Sequence, residues 1–82
     1  MIEEKIKSLV KDVIEENGYI LYKVEYVKEN NMMFLRLFID KQGIMDIEDC
    51  VTVSNLVNPI LDEEDPIDES YILDVCSKGE GD

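Results

Sequence analysis

Carboxylates are the most frequent chemistry-bearing side chains in this sequence, and they crowd one segment, where Asp62, Glu63, Glu64, Asp65, Asp68 and Glu69 are interrupted only by Pro66 and Ile67. That run has oxygens for a calcium ion, but it lacks the alternating Asp-x-Asp-x-Asp-Gly spacing and the distant bidentate Glu of an EF-hand. It reads as a solvated loop. Carboxylate pairs also serve as acid and base in glycoside hydrolysis, yet that work needs a concave pocket, which so short a chain can barely enclose. The sequence has no histidine, so the common zinc sites and nucleophilic triads lose their usual residue. Cys50 and Cys76 are too few for a disulfide framework and read as small apolar side chains. No GxxxxGK[ST] or GxGxxG phosphate loop is present. The expectation is therefore no catalytic residue, no metal, no cofactor and no small-molecule substrate. A different chemistry is offered by Phe34 and Phe38 flanking Arg36, with Lys23 on a neighbouring segment. Aromatic and basic side chains in that arrangement can stack and neutralise nucleotides, but cross-strand packing or cover by a neighbouring domain is the simpler reading.

The charge is divided along the chain. Residues 1–41 hold seven cations (Lys5, Lys7, Lys11, Lys23, Lys28, Arg36, Lys41) against eight acids, a net −1. Residues 42–82 hold only Lys78 against twelve acids, a net −11, which completes the total of −12. Phosphate is repelled by the second half, so a nucleic acid would meet the first half and a basic protein the second. The longest uncharged stretch, Cys50 to Leu61, falls far short of the roughly 20 residues that cross a bilayer. The first residues resemble neither a secretory signal nor a transit peptide, which makes the cytoplasm the expected location.

These side chains must be carried by a small core, since 82 residues allow one domain, and a hydrophobic share of 45% places it among globular proteins. Ile2, Ile6, Leu9, Val10, Val13 and Ile14 draw one helical stripe that Asn17-Gly18 closes, predicting a helix over 2–16. The period then changes to two, with Ile20, Tyr22, Val24 and Tyr26 expected on one face of a strand and Lys23 and Glu25 on the other. Glu29-Asn30-Asn31 predicts a tight hairpin. In the next strand Met33, Leu35, Leu37 and Ile39 form an aliphatic face opposite Phe34, Arg36 and Phe38. Because both helices are expected on the aliphatic side, the face bearing Lys23, Phe34, Arg36 and Phe38 is expected to be the least covered apolar surface and so to mark a partner contact. Asp46 is placed to cap a second helix over 47–61, with Ile47, Cys50, Val51, Ser54, Val57 and Leu61 inward and a polar face of Glu48, Asp49, Thr52, Asn55 and Asn58. Pro59 predicts a kink or an early end. Tyr71, Leu73 and Val75 mark a third strand. The order α-β-β-α-β gives an α+β fold, two helices on one face of a three-stranded mixed sheet, with the position of the third strand open.

Read as a string, Gly18-Tyr19, Glu25-Tyr26-Val27, Ile39-Asp40-Lys41, Gly43-Ile44, Ile47, Asp49-Cys50 and Val53-Ser54 resemble the N-terminal domain of the ribosome maturation factor RimP. The resemblance continues through Leu61-Asp62, Asp65-Pro66-Ile67, Tyr71, Leu73, Val75, Ser77 and Gly79, covering nearly the whole chain. Cys76 and Lys78 depart from it, standing where the family usually has serine and proline. The expected organisation is one α+β domain over 1–76 and a polar tail over 77–82, without the family's C-terminal SH3-like barrel. That describes either an excised N-terminal domain or a short relative. The resemblance implies a non-enzymatic cytoplasmic factor that binds the free small (30S) ribosomal subunit during maturation, through a ribosomal protein and rRNA. The charge division adds that Glu48, Asp49, Asp62, Glu63 and Asp65 should meet a basic ribosomal protein. The alternative is a generic acidic protein-interaction module unrelated to ribosomes. Oligomeric state stays open.

Overall fold

The structure is a computed structural model and describes residues 2–77; Lys78, Gly79 and the rest of the expected tail lie outside the described residues. Helix α1 spans Ile2–Glu16 and buries Ile6, Val10 and Ile14 at steps of four. It ends where the sequence places its stop. Tyr19 N–H donates to the Ile14 carbonyl at 3.1 Å and Gly18 N–H to that of Glu15 at 3.1 Å, the paired bonds of a Schellman motif. Gly18 sits at φ 88°, a conformation that a Cβ would strain.

Strand β1 (Ile20–Glu29) and strand β2 (Met32–Asp40) form an antiparallel hairpin. Asn30 and Asn31 turn it, both with positive φ (51° and 65°), as a two-residue turn matched to strand twist requires. A bulge lies near the start of β1: Leu21 opposes Ile39 but Lys23 opposes Phe38, leaving Tyr22 as the extra residue. The bulge flips the side-chain phase. Leu21 is buried in the core while Ile20 and Tyr22 are exposed, and Val24 and Tyr26 return to the core face after it. The expected inward placement of Ile20 and Tyr22 is thus corrected, because one inserted residue reverses which alternation points inward.

Helix α2 spans Ile47–Glu64 and opens on the Asp46 cap. It runs past Pro59 rather than ending there. The carbonyl that Pro59 leaves without its usual donor belongs to Asn55, an exposed residue on the solvent side of the helix. Asp65 takes the left-handed conformation (φ 45°) and its N–H donates to the Leu61 carbonyl, so the helix closes immediately before Pro66. Its buried stripe is Asp49, Val53, Val57 and Leu61. The expected stripe is corrected by nearly half a turn at its start, since Ile47 and Val51 face solvent.

Strand β3 (Ile72–Ser77) lies parallel to β2, giving the sheet order β1-β2-β3. Both helices cover one face, α1 against β1 and α2 against β3, and they touch each other. The core is Ile6, Val10 and Ile14 from α1, Leu21 from β1, Leu35, Leu37 and Ile39 from β2, and Val53, Val57 and Leu61 from α2. Ile67 plugs into it from the connection before β3.

Candidate functional site

Three groups of predicted residues fall on three different parts of this frame. At the mouth of α2, Asp49 is 8% exposed. Its carboxylate accepts from the Tyr19 hydroxyl at 2.8 Å and the Asp46 N–H at 3.0 Å, and the Lys41 ammonium stands 2.9 Å from both oxygens. Asp46 reciprocates by accepting from the Asp49 N–H at 3.2 Å, which completes a capping box. The Asp46 N–H bond, then Lys41 and Tyr19, hold the Asp49 carboxyl down to about 2. The same contact pushes Tyr19 and Lys41 up, Asp49 being the first cause for each. Asp49 therefore spends its charge joining the starts of β1 and α2 to the end of β2. An outward role for it, as expected from helical spacing, meets a carboxylate already saturated by three internal donors.

The second group lies on the helix-free face of the sheet, where the structure brings Lys23, Phe34, Arg36 and Phe38 together on β1 and β2. Lys23 lies there as its alternation with Val24 predicts. Its ammonium sits 5.5 Å from the Phe38 ring and 2.8 Å from Glu25. Arg36 stacks at 5.0 Å over Phe34, donates a two-pronged pair to Glu29 at 2.8 and 3.1 Å, and reaches Asp74 of β3 at 3.4 Å. Glu29 is held below its usual range by Arg36. Arg36 thus ties both outer strands to the middle one. Both cations are engaged by acids of this chain, and Phe38 is only 4% exposed. Phe34 stays half-buried, but Ile44 and Ile47 on the other side of the molecule are far more exposed, so the expectation that this face is the least covered apolar surface is corrected.

The third group is the acidic run. Asp62, Glu63 and Glu64 belong to the last turn of α2 rather than to a loop, Asp65 is its cap, and all four are exposed with Glu48. No cation lies in that last turn. Carboxylates at the negative end of a helix dipole oppose it, so their placement costs stability. Among the described residues no group of three or more metal-ligating side chains is gathered closely enough to hold a metal ion.

Two features escaped sequence reasoning. Among the described residues the two most exposed apolar side chains are Ile44 (87%) and Ile47 (79%), and with Val51 (54%) they lie before and along the first turns of α2. Only the helix phase reveals them. The Tyr26 hydroxyl is buried with no hydrogen-bond partner among the described residues, and burial first, then the Glu69 carboxylate, pushes its pKa up. Cys50 and Cys76 are half-buried on α2 and β3. No helix among the described residues is long and apolar enough to cross a membrane.

Fold and surface together define a small acidic α+β domain, with two helices on one side of a mixed sheet and its acids projecting from the second helix. The family model of the RimP N-terminal domain matches residues 9–80, and the chain belongs to that family. Its general role is that of a ribosome maturation factor, a family that is in general non-enzymatic.

Proposed function

We propose that this domain is a non-enzymatic, cytoplasmic assembly factor that binds the free small ribosomal subunit through a basic ribosomal protein. In this reading Glu48, Asp62, Glu63 and Asp65 face Lys and Arg of that protein, while Asp49 holds the helix that presents them. The observation that carries the reading is the placement of Asp62, Glu63 and Glu64 in the last turn of α2, where no cation balances them. Acids needed only for solubility would serve equally well where no helix dipole opposes them. Family membership supplies the ribosomal setting. An rRNA contact falls on α1, where Lys7 and Lys11 are exposed one turn apart. The sheet face is poorly suited to it, because Lys23 and Arg36 already meet carboxylates.

The test is charge reversal of Glu48 and Glu63 to Lys, with cosedimentation against free small subunits and against naked rRNA. Subunit binding should weaken roughly tenfold at low salt and less at high salt, because exposed charge pairs act mainly on association rate. Binding to rRNA should hold or tighten. Unchanged subunit binding would sink the reading and move the contact to α1.

A further inference from the structure

Ile47 and Val51 are four residues apart, so they share the outer face of α2, and Ile44 lies just before the cap of that helix. At 87%, 79% and 54% exposure, Ile44, Ile47 and Val51 are left largely open by the described residues, and the inner face of α2 is already filled by Val53, Val57 and Leu61. Within the same turns Asp46 and Glu48 are exposed, followed by the polar Thr52 and Asn55. Three aliphatic side chains fall short of the roughly 800 Å² per partner of a standard interface, so they form the apolar centre of a contact whose rim is acidic.

The rim selects the occupant. A second copy would set its own Asp46 and Glu48 against these, with −12 on each chain. Nucleic acid and anionic membrane are repelled in the same way, since no cation occurs from Gln42 to Ser77 and Lys41 is engaged by Asp49. What remains complementary is a protein segment carrying apolar side chains on one side and Lys or Arg beside them. We infer that Ile44, Ile47 and Val51 dock a basic amphipathic segment of a partner protein, with Asp46 and Glu48 pairing its cations. This deepens the proposed function and rests on it for the partner's ribosomal origin. It differs in placing the affinity in the aliphatic centre and leaving the rim to steer.

The experiment titrates the isotope-labelled chain with a synthetic amphipathic Leu/Lys peptide and with a scrambled peptide of the same composition. Amide shifts should centre on Ile44, Ile47, Glu48 and Val51, and the amphipathic peptide should bind about tenfold tighter, one decade being about 1.4 kcal/mol. The triple variant Ile44→Ser, Ile47→Ser, Val51→Ser should erase that preference while its melting stays close to wild type, since the three side chains are exposed. Equal affinity for both peptides, shifts confined to the sheet face, or a dimer abolished by the triple substitution would overturn the inference. Cosedimentation with free small subunits separates the two proposals. If wild type and triple variant bind subunits equally, the aliphatic contact falls and the ribosomal reading stands. If neither binds but the peptide result holds, the ribosomal partner falls and the docking surface stands.

Discussion

Asp49 is where one residue controls several elements, because its carboxylate collects Tyr19, Lys41 and the Asp46 N–H at a single point. Its folded pKa of about 2 lies below the ordinary 3.8, so it stabilises the fold above the ordinary value. That contribution disappears as pH falls through the folded value. Lys41 and Tyr19 are raised and give the opposite sign, stabilising below their ordinary values of 10.5 and 10.0 and losing this as pH rises through the folded ones. We expect Asp49→Asn to melt several degrees lower at neutral pH, with both the capping acceptor and the Lys41 partner weakened. Its melting temperature should also fall less than that of wild type between about pH 4 and pH 2, the interval set by the two Asp49 values. Thermal scans across that range check this, and parallel curves for the two proteins would show that Asp49 is not the group responsible.

At the scale of the element, α2 shows how a helix can be legible in its extent and capping yet misread in its rotation. Asp46 was readable as the cap, because a short acceptor followed by acids fits a helix N-terminus. The inward stripe was not, because apolar residues occupy more of α2 than one face can bury. Ile47 and Val51 compete with Val53 in the pattern, and only packing against α1 and β3 chooses. The choice is measurable: Leu61→Ala should cost about 2 to 5 kcal/mol, as for other buried leucines, while Ile47→Ala should stay within about 0.5 kcal/mol. Denaturant melts of both variants check it, and a large loss for Ile47→Ala would mean the helix is rotated the other way. The last turn allows a second measurement. Glu63→Lys alone should raise the melting temperature slightly by agreeing with the dipole, whereas on the proposed function it weakens subunit binding. A substitution that stabilises and disables together separates a binding acid from a structural one.

For the whole molecule, the two helix stripes and the inner face of the sheet close on one another with residues up to Val75. Such a core should fold as one unit, so the 82-residue chain is expected to unfold in a single cooperative transition. Circular dichroism and tyrosine fluorescence should report the same midpoint; separate midpoints would show that the hairpin or α2 comes apart independently. High net charge modulates this stability. With −12 on so small a body, added salt should raise the midpoint by screening self-repulsion, while weakening any contact made through the acidic half.

The sequence alone determined the element order, the stops at Asn17-Gly18 and Asn30-Asn31, the cap at Asp46 and the family resemblance, because each depends on local backbone preference or on residue order. Periodicity also found the inward face of α1, where apolar and polar positions separate cleanly, and that of β2, where aliphatic positions alternate with Phe34, Arg36 and Phe38. Tertiary structure alone decided the rest. The bulge at Tyr22 is invisible in sequence because Ile20, Leu21 and Tyr22 are all apolar, so either phase of the strand satisfies the pattern. Its consequence is that Leu21 enters the core while Ile20 and Tyr22 stay exposed. Asp49 looked like one more surface acid until the ends of β1 and β2 brought Tyr19 and Lys41 to it across separations of 30 and 8 residues. The open aliphatic face of Ile44, Ile47 and Val51 likewise exists only once the rotation of α2 is fixed, since exposure is a property of what packs nearby and not of the residue.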